Sequence, residues 1–329
     1  MRKVLLDVDT GTDDATAIIT AALSPDIQLE AICTVWGNRE VDITTRHTLM
    51  VTELVGKKVP VYKGCSGPMV RDLLPQWKQE YEFPKTGIDE NGQEFGYHDD
   101  FHLPEPKVKA EDQHAVSFYV DYLRHVKEPV TLVAVGPLTN LGHALKLDPS
   151  ITKNIEEIVV MGGGIAEYNI TTCSEANIWH DPEAAQIVTR CGAKVVYVPL
   201  DATHRAALPK EYIAKCEDLH TPVGDFFAEM LRERIKVYNA LQPLWRKDIA
   251  PIHDALCVAY LIDPKVLVDL RHVHLDVSMD TGASQGMFLI DTRHFHAPEN
   301  CYIAYSGDEK RFGKVIMDVL KLDADHRKS

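Results

Sequence analysis

The stretch Lys3-Val-Leu-Leu-Asp7-Val-Asp9-Thr-Gly11-Thr-Asp13-Asp14-Ala-Thr-Ala-Ile18 places four carboxylates around one strand–turn–helix junction. An apolar, strand-like run leads into them, and an apolar, helix-like run leads out. Crowding so much negative charge is unfavourable unless a cation or hydrogen-bond donors compensate it. Helix capping accounts for one or two of these acids, but not for four. The pattern therefore predicts a hard divalent cation with oxygen ligands.

Outward from this junction, strand-like and helix-like segments alternate. Strands are predicted at residues 4–8, 29–35, 59–62, 130–135, 155–161, 194–200, 266–277, 286–290 and 301–305. Helices are predicted at residues 13–23, 41–55, 111–126, 138–147, 182–190, 253–261 and 308–322. This alternation predicts an α/β fold with a mostly parallel central sheet flanked by helices, a Rossmann-like open sheet. We expect one domain over residues 1–329.

Three segments depart from this alternation. Residues from about 66 to 110 are rich in Pro, Gly, charged and aromatic residues without a clear period, which predicts a mobile loop. Residues 201–250 look helical and end in the irregular run Gln242-Pro-Leu-Trp-Arg-Lys-Asp248, and a second irregular region is placed at about 220–250. The polar tail 323–329 is predicted to be frayed.

The composition limits the classes of partner. The net charge is −14, and Lys and Arg are scattered, which argues against nucleic acid and anionic membranes. The seven Cys include no CxxC pair, as expected for free thiols in a reducing compartment. The start of the sequence has no signal-peptide pattern, and no apolar run approaches the roughly 18 residues of a membrane span. We therefore expect a cytoplasmic protein.

Polar residues and glycines follow several predicted strands, where open α/β sheets bind ligands. Trp36-Gly37-Asn38 follows the second strand, and Met161-Gly-Gly-Gly164 follows a later one, ahead of Asn169, Glu175 and Asn177. By themselves, the triple Gly is more often a turn and the polar residues are ordinary loop residues. Together on one rim, they suit a hydroxyl-rich ligand beside a metal.

A His-Asp pair and a pair of histidines each have competing interpretations. His253-Asp254 opens an apolar helix, where an Asp near the helix start with an incidental His is as good a reading as a functional pair. His294 and His296 have the spacing of a metal pair, but no third ligand is near in sequence, so we interpret them as surface residues.

The ordered motifs resemble those of the inosine–uridine preferring nucleoside hydrolases. Asp7-Val-Asp9-Thr-Gly11-Thr-Asp13-Asp14 resembles the family's DxDxGxDD signature. The resemblance continues in Val35-Trp-Gly37-Asn38, Gly136-Pro-Leu-Thr-Asn140, Val159-Val-Met161-Gly-Gly-Gly164, Glu175-Ala-Asn177-Ile-Trp-His-Asp181-Pro-Glu-Ala-Ala185 and His253-Asp254-Ala-Leu-Cys-Val-Ala-Tyr260. It spans residues 3 to about 264 in the family's order.

The resemblance implies calcium-dependent cleavage of the N-glycosidic bond of ribonucleosides, which yields ribose and free base in nucleoside salvage. Asp9, Asp14, Asp254 and the backbone carbonyl of Val135 resemble the Ca²⁺ ligands, and Asp9 would also take the proton of the attacking water. The residues that resemble the sugar-binding set are Asp13, Asn38, Met161, Asn169, Glu175 and Asn177. His253 resembles the acid that protonates the leaving base. A homo-oligomer, dimer or tetramer, is also implied.

The base preference is left open, because many members carry a His-Gly-rich segment in the first mobile loop. Here that stretch reads Gly92-Gln-Glu-Phe-Gly-Tyr-His98-Asp-Asp100, and His98 is the only candidate substitute. Tyr238, Trp245 and Arg246 are further candidates for base contacts.

Two other functions remain open. A haloacid-dehalogenase-type phosphatase shares a DxDx[TV] motif after its first strand, although Gly11 stands at the fifth position here. A non-catalytic nucleoside- or sugar-binding protein would bind its ligand without releasing base. An EF-hand is excluded, because Ile18 stands where the loop needs Glu.

Overall fold

The computed structural model describes residues 1–74, 86–89, 91–96, 101–295 and 297–328, without the side chains of 326–328. Its strands are β1 (Arg2–Val8), β2 (Ile27–Thr34), β3 (Val61–Lys63), β4 (Thr86–Ile88), β5 (Glu94–Gly96), β6 (Val130–Ala134), β7 (Ile155–Met161), β8 (Val195–Val198), β9 (Leu208–Pro209), β10 (Ile249–Ala250), β11 (Leu267–Val277), β12 (Phe288–Asp291) and β13 (Cys301–Gly307). Its α-helices are α1 (Thr12–Leu23), α2 (Val41–Val55), α3 (Ala115–His125), α4 (Thr139–Leu147), α5 (Ala176–His180), α6 (Pro182–Thr189), α7 (Leu200–Arg205), α8 (Glu211–Glu217), α9 (Pro222–Leu241), α10 (His253–Ile262) and α11 (Glu309–Lys328).

Nine strands form one twisted sheet in the order β12-β11-β13-β8-β7-β6-β1-β2-β3. The seven strands from β13 to β3 are mutually parallel, whereas β11 runs antiparallel to both β13 and β12. Helices cover both faces, as a parallel sheet requires. The prediction of a mostly parallel α/β sheet is confirmed.

Neighbouring residues of the central strands are buried in two different cores. Leu6 and Val133 pack under α1, α2, α9, α10 and α11 on one face. Leu5 and Leu132 pack under α3, α4 and α6 on the other face. Side chains alternate along a strand, so a strand buried on both faces needs a continuous apolar run. Such runs made these strands recognisable in the sequence.

The strand order reverses between β1 and β6, and this point positions the site. The chain runs from β1 towards β2 and β3 in one direction, and from β6 towards β7 and β8 in the other. Loops that leave the two central strands therefore separate and open a crevice at their carboxyl ends, where ligands bind in such sheets. Asp9 follows β1, and Val135 follows β6.

Two sequence predictions on helix position are wrong. The helix predicted at 111–126 begins only at Ala115, because Glu111 is extended and donates its N–H to Val61 O at 2.8 Å. The irregular region predicted at about 220–250 is helical from Pro222 to Leu241, with irregular chain only after it. The outer face of α9 is charged, and its inner face carries a stripe of buried apolar residues.

The tail predicted to be frayed is the end of α11, which continues to Lys328. Phe312, Ile316, Leu320 and Ala324 are buried at a spacing of four, so the apolar stripe outlasts the polar composition of the tail. The loop predicted at about 66–110 lies partly outside the described residues. Its described part includes a 3₁₀ turn at Arg71–Leu73 and the β4–β5 hairpin. Among the described residues, no helix combines the length and apolarity needed to cross a membrane.

Candidate active site

Three buried carboxylates meet beside the reversal of strand order. Asp13 and Asp14 lie in the first turn of α1, and Asp254 lies in the first turn of α10. The two helices pack together, so one oxygen from each carboxylate lies within 4.8 Å of the others. The three residues are at most 5% exposed. This cluster joins two motifs that are about 240 residues apart in the sequence.

Asp9 adjoins this cluster through Asp14 and Asn38. Asp14 Oδ1 accepts the N–H of Asp9 at 3.0 Å, and its Oδ2 accepts the N–H of Gly11 at 3.0 Å. The Asn38 N–H donates to Asp9 Oδ2 at 2.7 Å, and the Asn38 amide donates to Asp14 Oδ2 at 3.2 Å. These hydrogen bonds hold both carboxylates in defined orientations.

Glycines on two neighbouring loops allow the backbone to approach Asp9. A Cβ atom at Gly37 would lie 2.1 Å from Asp9 Oδ2, and one at Gly136 would lie 2.6 Å from Asp9 Oδ1. Since no side chain fits at such distances, both motifs require Gly at these positions.

Electrostatics at this cluster oppose ionisation of the carboxyls. Burial and then the nearby carboxylates raise the pKa of Asp14 to about 6. The pKa values of Asp9 and Asp254 are raised well above the ordinary range, again by burial first and by neighbouring carboxylates second. Full ionisation near neutral pH therefore calls for additional positive charge.

Asp7 does not belong to this cluster, although it lies in the same motif. Its side chain faces the opposite core, where Oδ2 accepts the Tyr119 hydroxyl at 2.9 Å and the Asn140 amide at 3.0 Å. Asn140 also donates to Thr34 O and accepts the Cys65 N–H. The fourth carboxylate of the motif thus has its own hydrogen-bond donors and links β1 to α3 and α4.

We expect Asp7→Asn to change the pH dependence of stability. Burial raises the pKa of Asp7 from 3.8 to about 7. Protonated Asp7 therefore contributes stability that is fully present below about pH 4 and is lost as the pH rises through about 7. The unfolding free energy of the parent, minus that of Asp7→Asn, should fall between pH 5 and pH 8 in urea titrations with chelator. The surface variant Asp112→Asn should show no such trend, and a pH-independent difference for Asp7→Asn would contradict this assignment.

Four of the six predicted sugar-binding residues, Met161, Asn169, Glu175 and Asn177, lie around the end of β7 and the start of α5. Glu175 caps α5, and its carboxylate accepts the N–H groups of Asn177 at 3.0 Å and Gly163 at 2.9 Å. The Asn177 amide donates to Val135 O at 2.8 Å and lies 3.4 Å from Met161 Sδ. Burial raises the pKa of Glu175 to about 7, against the effect of these donors.

Asn169 belongs to the same group. Its Oδ1 accepts the N–H of Ala176 at 2.9 Å, so this loop residue braces the first turn of α5. The structure thus brings Met161, Asn169, Glu175 and Asn177 together with the carbonyl of Val135.

His253 is held between two hydroxyl groups. Its Nε2 lies 2.7 Å from the Tyr238 hydroxyl, and its Nδ1 lies 2.7 Å from the Thr203 hydroxyl. Burial, and then the charge of Arg234, keep the pKa of His253 well below its usual range. The ring is therefore neutral near pH 7 and fixed in orientation, directly beside Asp254.

Arg234 is a buried cation that the sequence analysis missed. It is 2% exposed, with its guanidinium 3.4 Å from Asp13 Oδ2 and over the ring of Tyr238. Its Nε donates to Pro251 O at 3.3 Å. Its burial could have been predicted from the helical spacing, because Arg234 lies four residues after Met230 and four before Tyr238 on the buried face of α9. Thr203 and His204 of α7 were also missed, since no motif was recognised there.

The other candidate base contacts lie in different places. The Trp245 ring is half exposed under the guanidinium of Arg205, just beyond the end of α9. Arg246 pairs with Glu309 of α11 at 2.9 Å and does not join the cluster. His294 is exposed, whereas His98 and His296 lie outside the described residues.

Buried carboxylates of α1 and α10 and a hydroxyl-bound histidine thus accompany a mostly parallel α/β sheet, an arrangement that can hold a cation and a polar ligand. A family model for inosine-uridine preferring nucleoside hydrolase matches residues 4–314. The inosine-uridine preferring nucleoside hydrolase of Crithidia fasciculata is 34% identical over 328 residues, which cover 98% of this chain and 99% of that relative. The chain belongs to the inosine-uridine preferring nucleoside hydrolase family, and it is a hydrolase that acts on nucleosides.

Other relatives carry different substrate names. The pyrimidine-specific ribonucleoside hydrolase RihB of Escherichia coli is 35% identical over 88% of this chain and 87% of its own. The solved purine-preferring ribonucleoside hydrolase from Gardnerella vaginalis superposes with a TM-score of 0.85 and 32% identity, covering 99% of this chain and all of that one. The phosphatase alternative receives no support from these relatives.

Proposed function

We propose that this protein hydrolyses the N-glycosidic bond of ribonucleosides to ribose and free base, with Ca²⁺ bound at the carboxylate cluster. The observation that carries this proposal is the meeting of Asp13, Asp14 and Asp254 at the reversal of strand order, directly beside His253. Family membership supports the reaction class. As in the resembled family, the enzyme is proposed to act as a homo-oligomer in nucleoside salvage, and its free thiols support a cytoplasmic location.

The donor set fits a hard divalent cation. The cluster offers buried carboxylate oxygens from Asp13, Asp14 and Asp254, and the proposed ligands include no nitrogen or sulfur. Several carboxylates with room for further oxygen ligands suit Ca²⁺. Arg234 contributes one positive charge beside Asp13, which leaves the other buried carboxylates to be compensated.

We assign the metal-ligand role to Asp9, Asp14, Asp254 and the Val135 carbonyl. A bound Ca²⁺ would polarise a water molecule and orient two sugar hydroxyls. Asp9 would accept the proton of the attacking water, because the Asn38 N–H holds its carboxylate just after the end of β1, while Asp14 Oδ1 holds its backbone N–H.

The sugar is proposed to lie between the carboxylate cluster and the start of α5. Asp13, Asn38, Asn169, Glu175 and Asn177 would bind its hydroxyls, and Met161 would line the pocket. Loss of the base leaves positive charge on the ribosyl ring, as in other glycoside hydrolysis. Fixed carboxylates around the ring stabilise that charge without reorganising.

His253 is proposed to deliver the proton that the departing base requires; because its pKa is held below the usual range in the free protein, the ring must take up a proton before or while it gives one to the base. Both ring nitrogens are bonded to hydroxyls, so two routes exist. Either the base displaces Tyr238 and meets the ring directly, or the proton passes through the Tyr238 hydroxyl. Base preference stays open, because the relatives' names include inosine–uridine, pyrimidine and purine preferences.

Removal of the metal is expected to abolish hydrolysis. After dialysis against a calcium chelator, the release of free base from a panel of ribonucleosides, followed by chromatography, should stop. Added Ca²⁺ should restore it, because the buried carboxylates need the cation both to ionise and to orient the water. Activity in a sample shown to be metal-free by elemental analysis would refute the metal mechanism. Nucleoside binding without base release would instead favour the non-catalytic alternative.

A further inference from the structure

His204 of α7 is a buried histidine with no hydrogen-bond partner in the part of the chain that the structure describes. The residue is 2% exposed, and neither ring nitrogen has a hydrogen-bond partner among the described residues. The Glu167 carboxylate is the nearest acid, with Oε2 3.6 Å from Nδ1, which is too long for a hydrogen bond. Buried polar groups are nearly always paired, so two orphaned nitrogens on one ring indicate that a ligand completes them.

The position of this ring associates it with the leaving base. Its centroid lies 5.8 Å from those of both Tyr238 and His253, and the preceding residue, Thr203, bonds His253 directly. α7 follows β8, so His204 lies at the same rim of the sheet as the proposed sugar site. His204 lies near the proposed acid, His253, and not among the proposed sugar-binding residues.

The ring has the chemistry to recognise a nucleobase. Burial, and then the charges of Arg234 and Arg205, lower the pKa of His204 to about 4. A neutral imidazole carries one N–H donor and one acceptor nitrogen. Nucleobase edges likewise present mixed donors and acceptors, which proteins read by hydrogen bonding when the base is out of its stack.

We propose that His204 is a specificity-determining residue that hydrogen-bonds the nucleobase of the bound substrate. This proposal rests on the proposed nucleoside hydrolysis. It explains why two buried ring nitrogens find no partner among the described residues, and it names a base contact that neither composition nor motif indicated.

The test compares His204→Phe and His204→Asn with the parent on inosine, uridine and p-nitrophenyl riboside. The phenyl leaving group lacks the nucleobase edge. In His204→Phe, kcat/KM for the nucleoside that the parent prefers should fall about 10- to 100-fold, with a rise in KM. Hydrolysis of p-nitrophenyl riboside should be unchanged. His204→Asn keeps a donor and an acceptor, so it should retain more nucleoside activity than the Phe variant.

Three results would overturn the assignment. Equal losses on nucleoside and p-nitrophenyl riboside would indicate a structural role. A fall in kcat at unchanged KM would show that His204 acts only through His253. Unchanged nucleoside kinetics would show that His204 does not contact the base. If His204→Phe does not fold, the Asn variant decides by the same criteria. A parent that cleaves none of the three substrates would instead refute the proposed function.

Discussion

Asp254→Asn is expected to lower kcat/KM for ribonucleosides by at least about 10³-fold, equivalent to about 4 kcal/mol of transition-state stabilisation. Asp254 lies in the buried carboxylate cluster, and its replacement by a neutral amide removes one charge from the proposed cation site. Calcium affinity, measured by titration calorimetry, should fall in parallel. The amide keeps the size of the side chain, so packing around α10 should be preserved.

Asp254→Asn should stabilise the metal-free protein, although it lowers activity and calcium affinity. Burial, and then repulsion by Asp13, Asp14 and Asp9, raise the pKa of Asp254, so its ionised form is unfavourable in the fold. At pH 8 in chelator, Asp254→Asn should therefore unfold at a higher urea concentration than the parent. The surface variant Asp112→Asn serves as the matched control for both measurements. Unaltered calcium affinity or turnover in Asp254→Asn would exclude it from the site.

His253→Ala is expected to slow inosine cleavage by about 10²- to 10⁴-fold, the usual contribution of a general acid. The base must leave as a protonated species, whereas p-nitrophenolate leaves without a proton. Cleavage of p-nitrophenyl riboside should therefore be nearly unaffected. Parallel steady-state assays of the two substrates provide the measurement.

A companion variant separates the two proton routes. Tyr238→Phe removes the hydroxyl that lies 2.7 Å from His253 Nε2. If the proton passes through this hydroxyl, inosine cleavage should fall nearly as far as in His253→Ala. If the base meets the ring directly, the loss should be small. Equal losses on both substrates in His253→Ala would show that His253 is not the acid.

Much of the fold was predictable because it depends on local periodicity. The predicted bounds of the central strands agree with the structure to within two residues at each end. Strands buried on both faces are continuous apolar runs, which are easy to recognise. The irregular region at about 220–250 was placed too early, because the polar composition of α9 was given more weight than the spacing of its buried residues.

The site was only partly predictable. Asp13, Asp14 and Asp254 were identified by motif, and the structure brings them together. Asp7 and Asp9 look equivalent in the sequence, yet only Asp9 reaches the rim. β1 ends at Val8, so Asp9 leaves the strand, while Asp7 still points into the opposite core.

Local patterns in the chain thus specify an α/β sheet, a carboxylate-rich junction after β1 and membership of a nucleoside hydrolase family. The packing of α7, α9 and α10 decides which polar side chains share the rim, and it brings Arg234, His204 and Tyr238 to His253. Backbone periodicity is set by interactions between near neighbours in sequence. The charge environment of a buried group depends on residues that only tertiary contacts place beside it.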